Sequence, residues 1–402
     1  MLNKLMNYKY FKFRIYPTKA QENQLSCALG SARFIWNYCL NENNKTYDSI
    51  GSGLSKWEMK RLIPNLKSIY PWLTDTSSNA LQNKIMDLGT SFDRFFKGTS
   101  KKPKFKSRKT DKTGIRIDQI SNHIKFDLNN SVVKLPKMTW MKCTFHRPLE
   151  GKFKSLTIKR DIDQWYIVCL CEINEVKSTP TSVCSHKILG IDLGLTDFYT
   201  DNLGNKIPNP KFTNKKQKKL KRQQRKISRR QKSSKNREKA RILFAKSHRK
   251  IRNQRNDFIN KQVSHLKNNF DIICCETLDI KKMMKNKSFS KSIGEVSWGS
   301  FISKLDERTQ LIKIDQFKPS TKTCSCCGHI QPMKISDRMY DCQSCGFSCD
   351  RDINAAINIR NWGMEEINRV GTTRINACGD ITDLEVGIHT TNHVSKKQET
   401  SF

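Results

Sequence analysis

The sequence contains no long apolar run. A membrane-spanning helix needs about 20 mostly apolar residues in succession, and no such stretch occurs in the 402 residues. The opening residues, MLNKLMNYKYFKF, have neither the apolar segment nor the small-residue cleavage site of a signal peptide. No internal repeat is evident. These absences argue against a membrane protein, a secreted protein and a repeat array.

Acidic residues are also scarce. The chain has 37 Asp and Glu against 75 Lys and Arg, which gives a formal net charge of +38. An excess of this size implies a polyanionic partner, which enzymes of small molecules rarely need. The length allows two or three domains with cores of their own. The 15 cysteines, several of them within core-like strands, fit a reducing compartment.

Two Cys-x-x-Cys-Gly motifs stand in the last quarter of the chain, with 14 residues between the second cysteine of the first motif and the first cysteine of the second. Zn²⁺ takes four thiolates in a tetrahedron, and a glycine after each pair lets the turn close with positive φ. The spacing predicts one structural Zn²⁺ in a zinc ribbon, with four cysteine ligands: Cys324, Cys327, Cys342 and Cys345. Cys326 and Cys349 are competing candidates, but only Cys327 keeps both the two-residue gap and the following glycine. A pair of disulfides is the alternative.

The region before residue 180 predicts a small antiparallel β domain interrupted by helices. Tyr8–Tyr16 alternates apolar and basic residues, as a half-buried strand does. Thr18 can cap a helix from Lys19 to about Asn41. Further helices are predicted at 55–69 and 77–97, and strands at 115–117, 124–126, 132–135, 153–159 and 165–171. The segment VKSTPTSVCS, at 176–185, predicts a linker.

Three carboxylates occur where strands or a helix are predicted after this linker. Asp192 lies in the apolar run ILGIDLG, before a returning strand at 197–200 and a turn at 201–205, which is how a ribonuclease H-like core begins. Glu276 ends the apolar run IICCE, and Asp352 begins the helical segment DINAAINI. Ligands gather at the carboxyl ends of strands in α/β sheets. Taken singly, Asp192 reads as a turn residue, Glu276 as a rim residue and Asp352 as an N-cap.

The three acids together predict a nuclease site. Hydrolysis of a phosphodiester commonly uses two divalent ions about 4 Å apart, and hard ions such as Mg²⁺ take carboxylate oxygens. Three clustered carboxylates would repel one another without metal, so a purely structural role explains them poorly. We therefore expect two Mg²⁺ ions at Asp192, Glu276 and Asp352.

Two segments concentrate the positive charge. Residues 101–109 read KKPKFKSRK, with one aromatic ring among cations. This pattern suits a segment that binds along a phosphate backbone and stacks its ring on a base. A solvated basic loop is the alternative. Residues 211–261 hold 22 Lys and Arg against two acids, and their apolar residues predict two helices broken near 232–236. We expect nucleic-acid contacts from both segments: Lys104, Phe105, Lys106, Arg222, Arg225, Arg229 and Arg230.

Seven motifs across residues 8–380 are specific in combination: YKYFKFRIYPTKAQ, FFKGTSKKPKFKS, GIDLGLTDF, ETLDI, KPSTKTCSCCG, CDRDINAAINI and VGTTRINACGD. Together they resemble the TnpB (OrfB) family of insertion-sequence proteins, which is related to compact type V CRISPR effectors. The resemblance implies an RNA-guided, Mg²⁺-dependent DNA endonuclease that cuts beside a short target-adjacent motif. By motif match, Asp192, Glu276 and Asp352 are its catalytic residues, and Asp350 is a poorer match than Asp352.

The resemblance also implies an α/β and β multidomain fold. We expect an N-terminal wedge-like β-barrel at 1–180 with a helical recognition insert at about 17–98. A RuvC-like (ribonuclease H-like) core is expected at 186–320, including basic helices at 211–266, and again at 349–377. The zinc ribbon, 321–348, is inserted between its two parts, and a disordered tail is expected at 378–402. The stretch from Trp298 to Lys318 is somewhat shorter than is usual in the family.

The implied partners are a guide RNA transcribed from the element's end and double-stranded target DNA, with no membrane. A monomer or loose dimer with one RNA is expected, in the cytoplasm at the nucleoid of a prokaryote, or in the nucleus or viral host of a eukaryote. Two alternatives remain. A nuclease-inactive, RNA-guided repressor is disfavoured by the intact acids, and an acidic-triad transposase would need no RNA. No His-x-His pair of a single-strand transposase occurs.

Overall fold

A computed structural model of the chain describes residues 7–108, 114–118, 123–173, 187–334 and 336–377. The chain divides into two compact units, Met1–Ser178 and Thr179–Phe402. The segments expected to be a linker, at 176–185, and a disordered tail, at 378–402, lie outside the described residues. No helix within the described ranges is both long and apolar enough to cross a bilayer.

The first unit contains a seven-stranded antiparallel sheet. Its strands are β1 (Asn7–Tyr16), β2 (Ile115–Ile117), β3 (Lys125–Asp127), β4 (Val132–Lys134), β5 (Trp140–Thr144), β6 (Lys152–Asp161) and β7 (Gln164–Ile173). Their order is β2-β6-β7-β1-β5-β4-β3, so the N-terminal strand lies in the centre. All the predicted strands are present; β5 was not predicted. Closure of this sheet into a barrel stays a prediction.

Side chains of the two central strands, β1 and β7, alternate between a buried and an outward-facing side of the sheet. Phe11, Phe13 and Ile15 of β1 are fully buried, while the residues between them face outward. The paired strand β7 follows the same rule, with Trp165 and Ile167 among its buried residues. Because side chains alternate across a strand, one face of the sheet is apolar and the other presents Tyr and basic residues.

Three helices stand between β1 and β2: α1 (Lys19–Ile50), α2 (Lys56–Ile69) and α3 (Ser78–Phe96), with a short 3₁₀ helix at Pro71–Asp75. Thr18 and Gln21 cap each other's backbone amides, as a capping box does. The prediction that α1 ends near Asn41 is wrong, because no helix breaker follows until Gly51, which closes it with φ 74°. Its first half packs on the sheet and its second half on α2 and α3.

The second unit contains a five-stranded mixed sheet: β8 (Ile188–Asp192), β9 (Asp197–Asp201), β10 (Lys206–Pro208), β11 (Ile272–Glu276) and β12 (Gln310–Ile314). The order is β10-β9-β8-β11-β12. The first three strands pair antiparallel, and β8, β11 and β12 run parallel. This is the arrangement expected of the ribonuclease H-like core. A small hairpin, β13 (Met339–Asp341) with β14 (Ser348–Asp350), belongs to the cysteine-rich segment.

Helices cover both faces of this sheet: α4 (Phe212–Ser228), α5 (Lys235–Asn269), α6 (Ile280–Met283), α7 (Lys287–Val296), α8 (Trp298–Arg308) and α9 (Arg351–Ala377). The break predicted between two basic helices is present between α4 and α5. Helices α5 and α8 pack on one face of the sheet and α9 on the other. Gly190 of β8 lies directly under the backbone of Ala356, so any larger residue there would clash with α9.

Candidate functional site

Four cysteines form one compact cluster, and they are the four that the motif spacing predicts as zinc ligands. The sulfur atoms of Cys324, Cys327, Cys342 and Cys345 all lie within 4.8 Å of one another. The Sγ–Sγ distance is 3.7 Å between Cys324 and Cys345 and 3.6 Å between Cys327 and Cys342. Tetrahedral Zn²⁺ with bonds of about 2.3 Å requires sulfur atoms roughly 3.8 Å apart. The exposed Cys326 is outside the cluster.

Backbone turns prepare this cluster for a cation. Gly328 and Gly346 adopt φ of 77° and 71°, and each donates its amide N–H to the carbonyl of the first cysteine of its motif. The amide N–H of Cys345, the largest effect, and that of Ser344 lower the pKa of Cys342 to about 6. Desolvation raises the pKa of Cys324, and the neighbouring thiols raise that of Cys345 to about 12, so without a cation Cys342 is the first of these three to ionise. A thiolate at neutral pH is the form that binds metal. The donor set therefore fits one zinc ion.

Asp192, Glu276 and Asp352 come together at one edge of the five-stranded sheet. Asp192 ends β8 and Glu276 ends the adjacent parallel strand β11, where Ile191 is paired with Cys275. Asp352 lies in the first turn of α9, which packs against β8. Parallel strands place their carboxyl ends at the same edge of a sheet, and this geometry joins Asp192 to Glu276, 84 positions later in the chain.

The electrostatics of this edge show that the three carboxylates interact. Asp192 is partly exposed, yet desolvation by its surroundings, followed by the charges of Glu276 and Asp352, raises its pKa to about 8. Desolvation also raises the pKa of Glu276. Mutual repulsion of this kind is relieved by a bound cation. Among the described residues, however, only the cysteine cluster gathers three or more ligand atoms closely enough to share one ion.

Two neighbouring side chains hold the carboxylates instead. The hydroxyl of Ser320 donates a hydrogen bond to Oε1 of Glu276. The guanidinium of Arg351 lies 3.2 Å from Oδ1 of Asp352, and another of its nitrogens donates to the carbonyl of Lys334. These contacts of Ser320 and Arg351 were not predicted from the sequence. Only the position of the two residues next to recognised motifs could have indicated them.

Two asparagines attach the cysteine-rich segment to α9. Asn354 donates to the carbonyl of Thr323 and accepts the amide N–H of Ser325. Asn358, one turn later, donates to the carbonyls of Ser320 and Thr323 at 2.9 and 2.7 Å. Both asparagines are almost fully buried. The helix that carries Asp352 is thus bonded to the residue that contacts Glu276.

The alternative reading of Asp352 as an N-cap is wrong, because Asp350 performs that role. Oδ1 of Asp350 accepts the amide N–H groups of Asp352 and Ile353, and its other oxygen lies 2.6 Å from Nζ of Lys206. The carboxylate of Asp352 is left at the sheet edge, beside Arg351.

The basic segment of the first unit is fastened to α1. The indole N–H of Trp36 donates to the carbonyl of Lys104, and the side chain of Asn37 makes two hydrogen bonds with the backbone of Lys106. The ammonium of Lys106 lies over the Trp36 ring, 3.5 Å from its centre. Phe105 between them is 57% exposed. The segment thus presents Lys104 and Phe105 outward, whereas Lys106 is folded back.

The arginines predicted to contact nucleic acid in the second unit differ in exposure. Arg222, Arg225 and Arg229 are exposed along α4 and its end. Arg230 is half-buried and donates to the carbonyl of Asn236, which closes the turn between α4 and α5. The first three are free to face a polyanion, whereas Arg230 has a structural contact.

Comparisons with known families match three parts of the chain. A profile of OrfB from IS605-type elements, described as "Probable transposase", matches residues 171–287. A "Cas12f1-like, TNB domain" profile matches residues 298–359, which include the cysteine cluster. A "Helix-turn-helix domain" profile of the same OrfB type matches residues 6–52. Here that stretch forms β1 and one continuous helix.

Similar proteins cover nearly the whole chain. A "Putative RNA-guided DNA endonuclease" of Streptomyces pristinaespiralis is 30% identical over 97% of this chain and 95% of its own length. The Escherichia coli K12 protein "Putative RNA-guided DNA endonuclease InsQ" is 28% identical over 87% of this chain and 90% of its own. A solved structure, "Cryo-EM structure of the Cas12f1-sgRNA-target DNA complex", matches with TM-score 0.54 and 14% identity over 89% of this chain and 99% of that chain. At this identity, the last match concerns the fold alone.

The second unit therefore defines a class: a mixed five-stranded sheet in the ribonuclease H-like order, with a four-cysteine segment before its last helix. The full-length similarity to the Streptomyces protein shows the family. The chain belongs to the TnpB (OrfB) family.

Proposed function

We propose that this protein is an RNA-guided DNA endonuclease encoded by a transposable element, and that it cuts DNA beside a short target-adjacent motif. The observation that carries the proposal is the convergence of Asp192, Glu276 and Asp352 at the carboxyl edge of a ribonuclease H-like sheet. The names of its full-length relatives agree with this activity.

The acidic edge is suited to hard divalent ions. Its donors are carboxylate oxygens, which hard ions prefer. Desolvation, together with the charges of Glu276 and Asp352, raises the pKa of Asp192, and a bound cation would oppose this effect. When bound, two Mg²⁺ ions would activate a water molecule and stabilise the leaving oxygen. The chain's own part is to hold the three carboxylates: strand pairing fixes Asp192 and Glu276, and α9 brings Asp352 to them.

The cysteine cluster would hold one Zn²⁺ with a structural role. Its four sulfur atoms use all the positions of a tetrahedron, which leaves none for substrate. Its backbone is bonded to α9 through Asn354 and Asn358. We infer that the metal stabilises the segment from which Ser320 donates its hydrogen bond to Glu276. The metal would therefore support the active-site carboxylates indirectly.

The remaining assignments concern nucleic acid. We assign residues 1–180 to a wedge-like barrel with a recognition insert at about 17–98, which would contact the target-adjacent motif with Phe105 and the Tyr and basic residues of β1. Residues 186–320 and 349–377 would form the nuclease core around a ribbon at 321–348. The exposed arginines of α4 and the basic face of α5 would support guide RNA and heteroduplex, in a monomer or loose dimer with one RNA.

Base pairing by a guide explains how so small a protein could select a long DNA sequence. In guided nucleases the RNA reads the sequence, while the protein reads a short flanking motif and duplex shape. A net charge of +38 is sufficient to hold a structured RNA. The alternative of a guide-independent nuclease would leave most of this charge unexplained.

The decisive experiment is a guide swap. Protein purified from cells that express its own locus should carry an RNA of discrete length. Replacing the terminal ~10–20 nucleotides of that RNA should redirect cutting between two plasmids that differ only in the complementary stretch. Equal cutting of both plasmids by RNA-free protein would refute guidance, and RNA-dependent binding without cutting would indicate a repressor.

A further inference from the structure

A cavity of about 430 Å³ lies between α5, α7 and the start of α4. The residues that matter for its chemistry are Thr213, His248, Ile251, Arg255, Lys291 and Glu295. Its volume falls in the range of roughly 300–1,000 Å³ that is typical of small-molecule sites, and it is larger than a single inorganic anion needs. None of these residues belongs to the acidic edge or to the cysteine cluster.

The only acidic group in this set is already engaged. Glu295 is buried, and its Oε1 accepts the amide N–H groups of Thr213 and Asn214 at 2.7 and 3.1 Å. These amides belong to the first turn of α4, where helices leave N–H groups without intrahelical partners. The carboxylate therefore caps a helix end but keeps its negative charge. With Arg252, Arg255 and Lys291 against this single acid, the lining of the cavity stays net positive.

Arg255 is a cation of the cavity that has one donor group without an acceptor among the described residues. It is half-buried, and one of its nitrogens donates to the hydroxyl of Thr213 at 3.0 Å. Its Nε is buried and has no hydrogen-bond partner within the described ranges. Burial lowers the pKa of this arginine, while Glu295 acts in the opposite direction. A desolvated guanidinium with an incomplete set of acceptors is costly, and an anion in the cavity would compensate its charge.

The rest of the cavity suits a nucleotide better than a bare anion. Lys291 is exposed at the cavity and adds positive charge, and the ring of His248 is exposed beside it. The His248 ring is braced edge-on by Phe244, and Ile251 contributes a buried apolar wall. Guanidinium groups match the geometry of phosphate oxygens. The apolar wall and the ring leave room for a ribose or base beside that phosphate.

We propose that this cavity binds one unpaired nucleotide of the guide RNA, with its phosphate against Arg255 and Lys291 and its base or ribose toward Ile251. The proposal rests on the proposed function, since it takes the guide RNA as the ligand. RNA is favoured over duplex DNA because loops and bulges offer nucleotides that are already unstacked. A base in a DNA duplex must first be flipped out at a cost.

Phosphate-ethylation interference on the co-purified RNA tests this site. In the wild type, ethylation at one unpaired position should block binding. Lys291→Gln and Arg255→Gln should make that position tolerant and weaken RNA binding by about tenfold. Lys287→Gln is the matched control, because Lys287 is an exposed lysine one turn earlier on α7 and does not line the cavity. It should keep the interference and lose less than about threefold in affinity.

The outcomes separate this proposal from the proposed function. Wild-type protein that binds no RNA would overturn both. RNA binding with the same interference pattern in all variants would overturn only the cavity site, as would interference that maps to a paired stem or to the target DNA. Because Lys291 is exposed, its variant should fold even if Arg255→Gln does not, so the comparison of Lys291→Gln with Lys287→Gln decides alone.

Inorganic phosphate probes the cavity without RNA. At constant ionic strength, replacing chloride by phosphate should raise the midpoint of thermal unfolding of the wild type and of Lys287→Gln. The rise should be smaller in Lys291→Gln, which keeps only the general stabilisation that phosphate gives to folded proteins. An equal rise in all three proteins would show an adventitious ion only, and would count against a built site.

Discussion

The bond network between α9 and the cysteine-rich segment gives the sharpest test of how the carboxylates are held. Asn358 is 4% exposed and donates to the carbonyls of Ser320 and Thr323. Replacing it with alanine removes both bonds. The Thr323 carbonyl still accepts from Asn354, so only the Ser320 carbonyl loses its side-chain donor.

The expected loss of stability follows from this difference. A buried acceptor left without a partner costs about 1–3 kcal/mol, and the loss of one of two bonds at the other carbonyl costs about 1 kcal/mol. Alanine has a higher helix propensity than asparagine, which offsets about 0.5 kcal/mol of the lost stability. We expect Asn358→Ala to lower the free energy of unfolding by about 2–3 kcal/mol, measured by denaturant titration of the full chain.

The functional effect should exceed the structural one. Loosening Ser320 releases the carboxylate of Glu276, and small misplacements of a catalytic group can cost about 100-fold. Under single-turnover conditions at 20 °C, cleavage by the folded variant should fall by at least about tenfold. RNA and DNA binding should remain within about twofold, since phosphate contacts carry the affinity.

Glu365→Ala is the matched control, an exposed residue on the same helix. It should leave stability, zinc content and cleavage unchanged. Cleavage by Asn358→Ala at the wild-type rate, with unaltered zinc content, would refute the role of Asn358 in positioning Glu276 through Ser320. Equal losses in cleavage and in nucleic-acid binding would also contradict it, because they would indicate general unfolding.

Three further predictions concern the metals and pH. Asp192→Ala should abolish DNA cleavage with Mg²⁺ while leaving RNA and DNA affinity nearly intact, because affinity comes mainly from Lys and Arg; undiminished cutting would sink the catalytic assignment. Elemental analysis should find about one zinc per chain, and Cys342→Ser should lose it together with cleavage, since structural zinc contributes roughly 10–16 kcal/mol of apparent binding energy; a zinc-free, fully folded wild type would count against this. The pKa of Asp192 in the folded, metal-free protein lies above its ordinary value, at about 8. Between about pH 4 and pH 8 the folded state therefore keeps a proton that the unfolded chain has lost. The free energy of unfolding should fall as pH rises through this range. Asp192→Asn should weaken this pH dependence, which thermal unfolding of the metal-free protein at pH 5 and pH 8 measures. Identical pH profiles of the wild type and the variant would contradict the raised pKa of Asp192.

Local spacing made much of the site predictable. Two Cys-x-x-Cys-Gly motifs require tight turns, and the structure brings the cysteines of those motifs together. The apolar runs that end in Asp192 and Glu276 form parallel neighbours, which places their last residues at one edge. Thr18 caps α1 as its position before Lys19 indicates. In each case the signal lies within a few residues, where backbone conformation and hydrogen bonding are local.

Features that depend on distant partners escaped the sequence. Strand β5 was missed because its residues show only a short alternation, and it is stabilised by pairing with β1 and β4. Helix α1 continues beyond Asn41, where the side chain of Asn43 accepts the amide N–H of Leu54 from the following loop. Lys106 looked free to bind phosphate, but a tryptophan 70 positions earlier holds it.

The sequence by itself determined the nature of the protein: its polyanionic partner from charge, its cysteine ribbon from spacing, and its three acids from strand and helix ends. Only the tertiary structure decided which groups support those acids. The bonds from Ser320 to Glu276 and from Asn358 to the cysteine-rich segment join residues far apart in the chain. The half-satisfied Arg255 at the α5–α7 cavity is likewise visible only in three dimensions. Hydrogen bonding and burial of single atoms are set by neighbours in space, and no local pattern encodes which neighbours those are.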